Sequence, residues 1–303
     1  MSPQAATASL MRVSPCDICR SSEARLRFTA MDRLGLATEP FLITECVGCR
    51  VWRTLPEMSD RETAQFYPEE YWGRKPEAAW IRASQSGKLA FWRQCKAPGG
   101  RILDVGCGAG FFLCALPDER WEKFGVETGP GAVAMARRLL EGRTIVQGTL
   151  AEAALSTAFF DVVTFWSSLE HTSEPRRNLL EARRILKPGG TVIVQAPNAS
   201  SYQAKRFKGD WFALDAPRHR YHFSIDSLTR LLAETGFAIY RTSFQSREHN
   251  AHALRQSLKR RLWPHSVAHR AAFVLSTPLI RPLDYLLSAA GKGATLTVAA
   301  RAV

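Results

Sequence analysis

Residues 102–112 read ILDVGCGAGFF, and this stretch decides the fold. Ile102, Leu103 and Val105 are the apolar and β-branched residues of a buried strand. Gly106, Gly108 and Gly110 then let the backbone turn sharply and approach a ligand closely before a helix begins. The glycines depart from the dinucleotide fingerprint G-x-G-x-x-G, because the third comes one residue early and Phe111 stands where that pattern has glycine. A pyrophosphate clamp is therefore the weaker reading. One acid, Asp104, lies inside the strand itself, and another, Glu127, closes the next apolar segment (KFGVE) roughly 20 residues on, where a ribose-binding carboxylate belongs.

From Gly100 onward strands alternate with helices, the pattern of a parallel sheet covered on both faces. The strand segments are RILDVG, KFGVE, RTIVQG, FDVVTFW, GTVIVQAP, FAIYRTSFQ and ATLTVAARA, which predicts a seven-stranded, doubly wound α/β fold. Helices are expected at 109–117, 130–141 (opening at Pro130), 151–156, 175–187 (opening at Pro175 and stopped by KPGG) and 224–235 (capped by Ser224). The last two strands are separated by residues 248–292. These begin as a basic helical run with Leu254, Leu258 and Leu262 at four-residue spacing, then turn apolar and are broken by Pro278, Arg281 and Pro282. That excludes a membrane span but permits an interfacial helix, a hydrophobic lid, ordinary packing or a dimer contact.

Upstream, four of the seven cysteines form two C-x-x-C pairs, Cys16/Cys19 and Cys46/Cys49. Each pair can present two thiolates from a tight knuckle, and two knuckles complete a tetrahedral site for structural Zn²⁺, although the gap between them is somewhat longer than in standard ribbons. Cys95, Cys107 and Cys114 read as small apolar fillers. The chain thus divides into a ribbon-like domain (1–55), a helical connector whose Tyr67, Tyr71 and Trp72 could cover an active site (56–98), the main domain (99–247 plus 293–303) and the helical insertion (248–292). Within the connector, Ser59 or Asp60 could cap a short helix and 77–95 reads as a longer one.

The formal charge of +13 is concentrated: residues 201–270 hold 13 Lys and Arg against 5 Asp and Glu. Such a local basic face favours an anionic substrate, an acidic membrane surface or nucleic acid, or is a solvated face. The first residues have no apolar stretch of signal-peptide length and no run approaches ~20 apolar residues, so a cytoplasmic protein is expected, peripheral at the inner membrane face if the insertion binds lipid.

Taken together, LDVGCGAG, Glu127, FDVVTFWSSLEH and ILKPGGTVIVQAPN, in this order and spacing, resemble the four motifs of class I S-adenosylmethionine-dependent methyltransferases. The resemblance runs from Gly100 to the end, interrupted by the insertion. It implies a Rossmann-like seven-stranded sheet and a cofactor without phosphate, which accounts for the missing third glycine. It also implies that Gly106, Gly108 and Gly110 line the methionine end, that Asp104 orders the loop or reaches the ammonium, and that Glu127 accepts from the ribose hydroxyls. Thr149 and Leu150 would meet the adenine through backbone groups, and Trp166 and Ser167 would lie against the cofactor.

Transfer to an oxygen nucleophile requires a proton acceptor, and histidine suits that role at neutral pH. His171, in SSLEHT, falls at the end of the fourth strand and resembles the E-x-x-E-H of ubiquinone-type O-methyltransferases, with Ser167 replacing the first glutamate. His219 and His222, in DAPRHRYHFS, resemble a P-x-H segment of zinc-ribbon-bearing methyltransferases of bacterial natural-product and surface-polysaccharide pathways. His219 is the favoured base or positioning residue. The leading expectation is methyl transfer to an oxygen of a sugar, lipid-linked or natural-product acceptor. An RNA methyltransferase and a non-catalytic module that docks a partner protein are the alternatives.

Overall fold

The computed structural model describes residues 10–59, 62–63, 65–67, 77–95, 99–246, 249–262 and 277–303. Two sheets organise them. The first runs in the order β1 (Leu10–Arg12), β2 (Glu23–Ala30), β3 (Phe41–Cys46), β4 (Trp52–Leu55). The second contains β5 (Gly100–Val105), β6 (Trp121–Glu127), β7 (Thr144–Gln147), β8 (Phe160–Trp166) and β9 (Leu186–Pro197). The short β10 (Tyr221–His222) then returns to the first sheet and pairs with β4, while β11 (Phe237–Ser243) and β12 (Thr295–Ala302) complete the second.

The second sheet has all seven expected strands, in the order β11-β12-β9-β8-β5-β6-β7. β5 pairs in parallel with β6 and β8, and β12 is antiparallel to both its neighbours. Strand order reverses at β5, so its carboxyl end opens onto the crevice where such sheets bind ligands. The central strands are buried on both faces: Ile193 and Ala299 meet the helices at 86–94, 111–115 and 130–139, whereas Val192, Val194 and Val298 meet those at 175–185 and 225–234. That double burial is why they read as unbroken apolar runs.

Local differences from the expected elements have physical causes. The 77–95 stretch divides at Gln85 into helices Ala78–Ser84 and Ser86–Gln94. The helix expected at 175–187 ends at Ile185 because Leu186 already pairs with Phe160, and the KPGG segment is an irregularity within β9 before Thr191 rejoins at Val162. Residues 151–153 form turns, not the expected helix, and the helix expected at 109–117 is confined to Phe111–Ala115. Ser224 caps Ile225–Glu234 through a reciprocal bond with Ser227, and Ser59 bonds reciprocally with Glu62; Asp60, Tyr71 and Trp72 lie outside the described residues. In the insertion, helices Asn250–Leu262 and Thr277–Ala289 pack together, the second continuing through Pro282. No described helix is long and apolar enough to cross a membrane.

The ribbon is not a separate bead. Its Cys16, Ile18, Cys46 and Val51 share one apolar cluster with Leu179, Leu228 and the face of the main sheet. Its other face, with Phe41, Ile43 and Trp52, packs on Phe207, Trp211, Leu254 and Ile280. Phe165, fully buried in β8, belongs to the first cluster. Phe165→Ala is expected to destabilise the fold by about 3–5 kcal/mol, read as a lower urea midpoint with an unchanged denaturant slope.

Candidate active site

At the end of β5 the glycine loop is held by Glu127, whose carboxylate accepts from the Gly108 amide (2.8 Å) and the Gly129 amide (2.8 Å). Gly106, Gly108 and Gly110 all have positive φ. At Gly106 the protein's own packing also requires glycine: a Cβ there would stand 2.5 Å from Ser168 Cβ. Asp104 is buried and accepts from Thr164 Oγ1 at 2.7 Å. Burial pushes its carboxyl up to about 7, opposed by that bond and by the charge of Lys88.

Trp166 ends β8 with its ring 5.0 Å from Phe112 and its indole Nε1 buried without a partner among the described residues. Lys88, from helix Ser86–Gln94, places its ammonium 5.7 Å from the same ring. Ser167 adopts a positive φ and its amide donates to Gln195 O. The Thr149 amide donates to Glu152 (2.7 Å), and the Leu150 side chain is buried in the main core.

The histidines gather beside this crevice. His171 Nδ1 lies 3.0 Å from Arg218 O and 2.8 Å from Tyr67 Oη; His219 Nδ1 lies 3.0 Å from Ala213 O. A carbonyl can only accept, so both rings carry their proton on Nδ1 and leave Nε2 as a lone pair. The two rings are edge to face at 4.5 Å. Burial lowers both below the usual histidine range, and for His219 the neighbouring His171 adds to this. Glu170 is fully buried with neither oxygen hydrogen-bonded among the described residues, and burial pushes it up to about 8. Donor atoms of Glu170, His171 and His219 lie within 4.8 Å of one another, so this set could also hold a cation.

His222 is turned elsewhere. Thr54 Oγ1 donates to His219 O at 2.7 Å, which spends its single proton, so His222 Nε2–H is the donor in the 3.0 Å contact to Thr54. The ring joins β10 to β4, with its centroid 6.4 Å from that of His219.

Sequence reasoning did not single out the acids and arginines behind His219. Fully buried Arg218 donates to Asp215 Oδ1 (2.9 and 2.7 Å), to Asp32 Oδ1 (2.6 Å) and to Phe66 O (3.1 Å). Asp215 also pairs with Arg33, and its Oδ2 lies 4.0 Å from His219 Nε2. Burial alone would raise Asp215, but His219 and the guanidiniums of Arg33 and Arg218 overcome it and hold the carboxyl well below its usual range. The only signal in the chain was the four-residue spacing from Asp215 to His219; Asp32 and Arg33 are remote in sequence.

A family model described as a methyltransferase domain matches residues 78–242. The chain belongs to this methyltransferase family. Among relatives, a Mycolicibacterium smegmatis protein named "Probable S-adenosylmethionine-dependent methyltransferase" is 27% identical over 188 residues, 61% of this chain and 66% of that protein. The Azoarcus ubiquinone biosynthesis O-methyltransferase is 34% identical over 125 residues, 40% of this chain and 51% of that protein. The chain thus spans less than two thirds of the length of these relatives. The fold is shared with a crystal structure of a SAM-dependent methyltransferase from Archaeoglobus fulgidus: TM-score 0.50, 18% identity, 77% of this chain and 97% of that one.

S-adenosylmethionine is the cofactor of this methyltransferase family, and the residues present fit it. The orphaned Trp166 Nε1 and the carboxylate of Glu127 offer a buried donor and an acceptor at the carboxyl ends of β8 and β6.

The methyltransferase's ribbon brings four free thiols together, with Cys16 and Cys49 Sγ 3.6 Å apart and Cys19 and Cys46 Sγ 3.4 Å apart. A tetrahedron of 2.3 Å zinc–sulfur bonds has edges of ~3.8 Å, so this set is close to the size zinc needs. A Cβ on Gly48 would stand 2.8 Å from Cys19 Sγ, which makes glycine obligatory in the second knuckle.

Burial lowers His222 to about 3. Unfolded histidine titrates near ~6.5, so between these values the unfolded chain binds the extra proton, and stability falls as the pH drops through that window. His222→Gln keeps a donor for Thr54 and removes the titration. Its urea-derived stability is expected to lose about 1.4 kcal/mol less per pH unit than the native chain across that window.

Proposed function

We propose that this chain transfers the methyl group of S-adenosylmethionine to an oxygen of a small-molecule acceptor, a sugar, lipid-linked or natural-product substrate. One observation carries the reading: His171 and His219 present unprotonated Nε2 atoms beside the cofactor crevice, and an ionised Asp215 stands 4.0 Å from His219 Nε2. The name of the Azoarcus relative supports oxygen as the accepting atom.

When bound, S-adenosylmethionine supplies an electrophilic methyl on a sulfonium. Glu127 holds the Gly108 and Gly129 amides and accepts from the ribose, while Trp166 and the glycine loop position the donor. His219 Nε2 takes the proton of the acceptor hydroxyl, and Asp215 stabilises the resulting imidazolium. His171, pinned by Arg218 O and Tyr67, orients the acceptor. Alignment of donor and nucleophile can supply much of the acceleration, because the displacement requires a near-attack geometry.

The four ribbon thiolates would hold one structural Zn²⁺, whose charge lets four sulfurs share one buried site. Exposed Leu283, Tyr285 and Leu286, together with Lys259 and Arg261 at the end of the preceding helix, support an acceptor presented at a lipid surface.

Calorimetric titration with S-adenosylmethionine tests the cofactor seat. Glu127→Ala is expected to weaken binding at least about tenfold, and unchanged affinity would refute the assignment. In an acceptor screen starting from nucleotide sugars and lipid-linked glycans, His219→Ala is expected to lower kcat by about 10²–10⁴ while leaving cofactor affinity intact. Full turnover in that variant would overturn the base assignment.

Metal analysis is expected to find about one zinc per chain. Stripping it with a chelator should lower the Tm and release the ribbon from the main core, seen as proteolysis within residues 10–55.

A further inference from the structure

We propose that the seam between the ribbon and the methyltransferase domain is an oxyanion site, in which Arg53 binds a phosphate or carboxylate group. A cavity of about 80 Å³ opens there, lined on the ribbon side by Arg53 and Glu57 and on the other by Ser173, Arg220 and Tyr221. At ~10–15 Å³ for each water-sized occupant, it has room for a small polyatomic ion.

Arg53 is 1% exposed. Its Nη1 donates to Ser14 O (3.0 Å) and Glu57 Oε1 (2.8 Å), while Nε and Nη2 are buried with no hydrogen-bond partner among the described residues. Those two nitrogens form one edge of the guanidinium, the fork whose parallel N–H groups match two oxygens of a carboxylate or phosphate. A buried guanidinium with this edge unmet is costly unless something accepts from it.

The lining adds a second buried guanidinium and one acid at the rim. Arg220 lines the same cavity and donates to Thr63 Oγ1, and the Glu57 carboxylate is half exposed at its edge. The cavity is coupled to the reacting residues through the backbone: Arg220 N donates to Glu170 O and Thr54 N donates to Arg220 O. An ion seated here braces the segment that carries His219. The site is separate from the cofactor crevice, and its occupancy does not depend on methyl transfer.

The test uses the full, zinc-loaded chain and arginine Nε–H resonances in ¹H–¹⁵N spectra, titrated with inorganic phosphate and separately with glucose 1-phosphate. A saturable shift of the Arg53 Nε–H is expected. Arg53→Lys keeps the charge but loses the fork, and should weaken binding at least about tenfold, read by calorimetry. Glu57→Gln, at the rim, removes the competing carboxylate and should tighten binding about two- to fivefold; it also keeps the test valid if Arg53→Lys does not fold. Binding of inorganic phosphate alone would identify a free ion, and equal binding of the ester would identify a group carried on a larger molecule. No saturable shift with either probe, or equal affinity in Arg53→Lys, would overturn the proposal.

Discussion

Arg218 lies with no exposed surface between two carboxylates, Asp32 from the ribbon and Asp215 from the loop that carries His219. A buried guanidinium is tolerated only with its donors matched, and here the partners come from both halves of the chain, with Phe66 O taking a further bond. Asp32 is itself held by the amides of Leu34 and Leu36, so it is presented as a rigid acceptor. Removing one member of such a set strands a buried charge, at a cost of about 3–5 kcal/mol. The ribbon and the His219 loop are therefore placed by one interaction, and the position of His219 depends on a turn nearly two hundred residues earlier.

The apolar packing follows the same plan. The cysteine knuckles share a cluster with the helices beneath the main sheet, and the ribbon's opposite face rests on Trp211 and Leu254. β10 adds to the ribbon sheet three residues after Arg218, with His222 bonded to Thr54 across the join. The buried polar atoms without a hydrogen bond among the described residues include three sets: the Glu170 carboxyl, Trp166 Nε1 and the Nε–Nη2 edge of Arg53. Folded chains leave buried polar groups unpaired chiefly where a ligand or a proton will use them. Two of the three border the cofactor crevice and the third borders the seam.

The electrostatics divide the ionisable groups by role. Burial keeps His171 and His219 neutral and Glu170 largely protonated near neutral pH, while the guanidiniums of Arg33 and Arg218 keep Asp215 ionised. A neutral imidazole beside a fixed carboxylate can accept a proton and have the new charge compensated at once. The same burial that makes the rings available as bases makes the fold sensitive to acid, because each buried neutral histidine favours the native state less as the pH falls.

The seven strands, the helices that open at Pro130, Pro175 and Ser224 and the glycine loop were legible from the chain alone, because strand period, proline and glycine punctuation and the spacing of Glu127 are local properties. The cysteine pairs were legible for the same reason: each knuckle is a four-residue unit. Only the tertiary structure decided that His171 and His219 meet edge to face, that His222 bonds to Thr54 of the ribbon, and that Asp32, Arg33 and Arg53 stand beside residues far along the chain. Ion pairs and tautomers depend on distance in space, and no periodicity in the sequence records which turn will meet which loop once both have left the water.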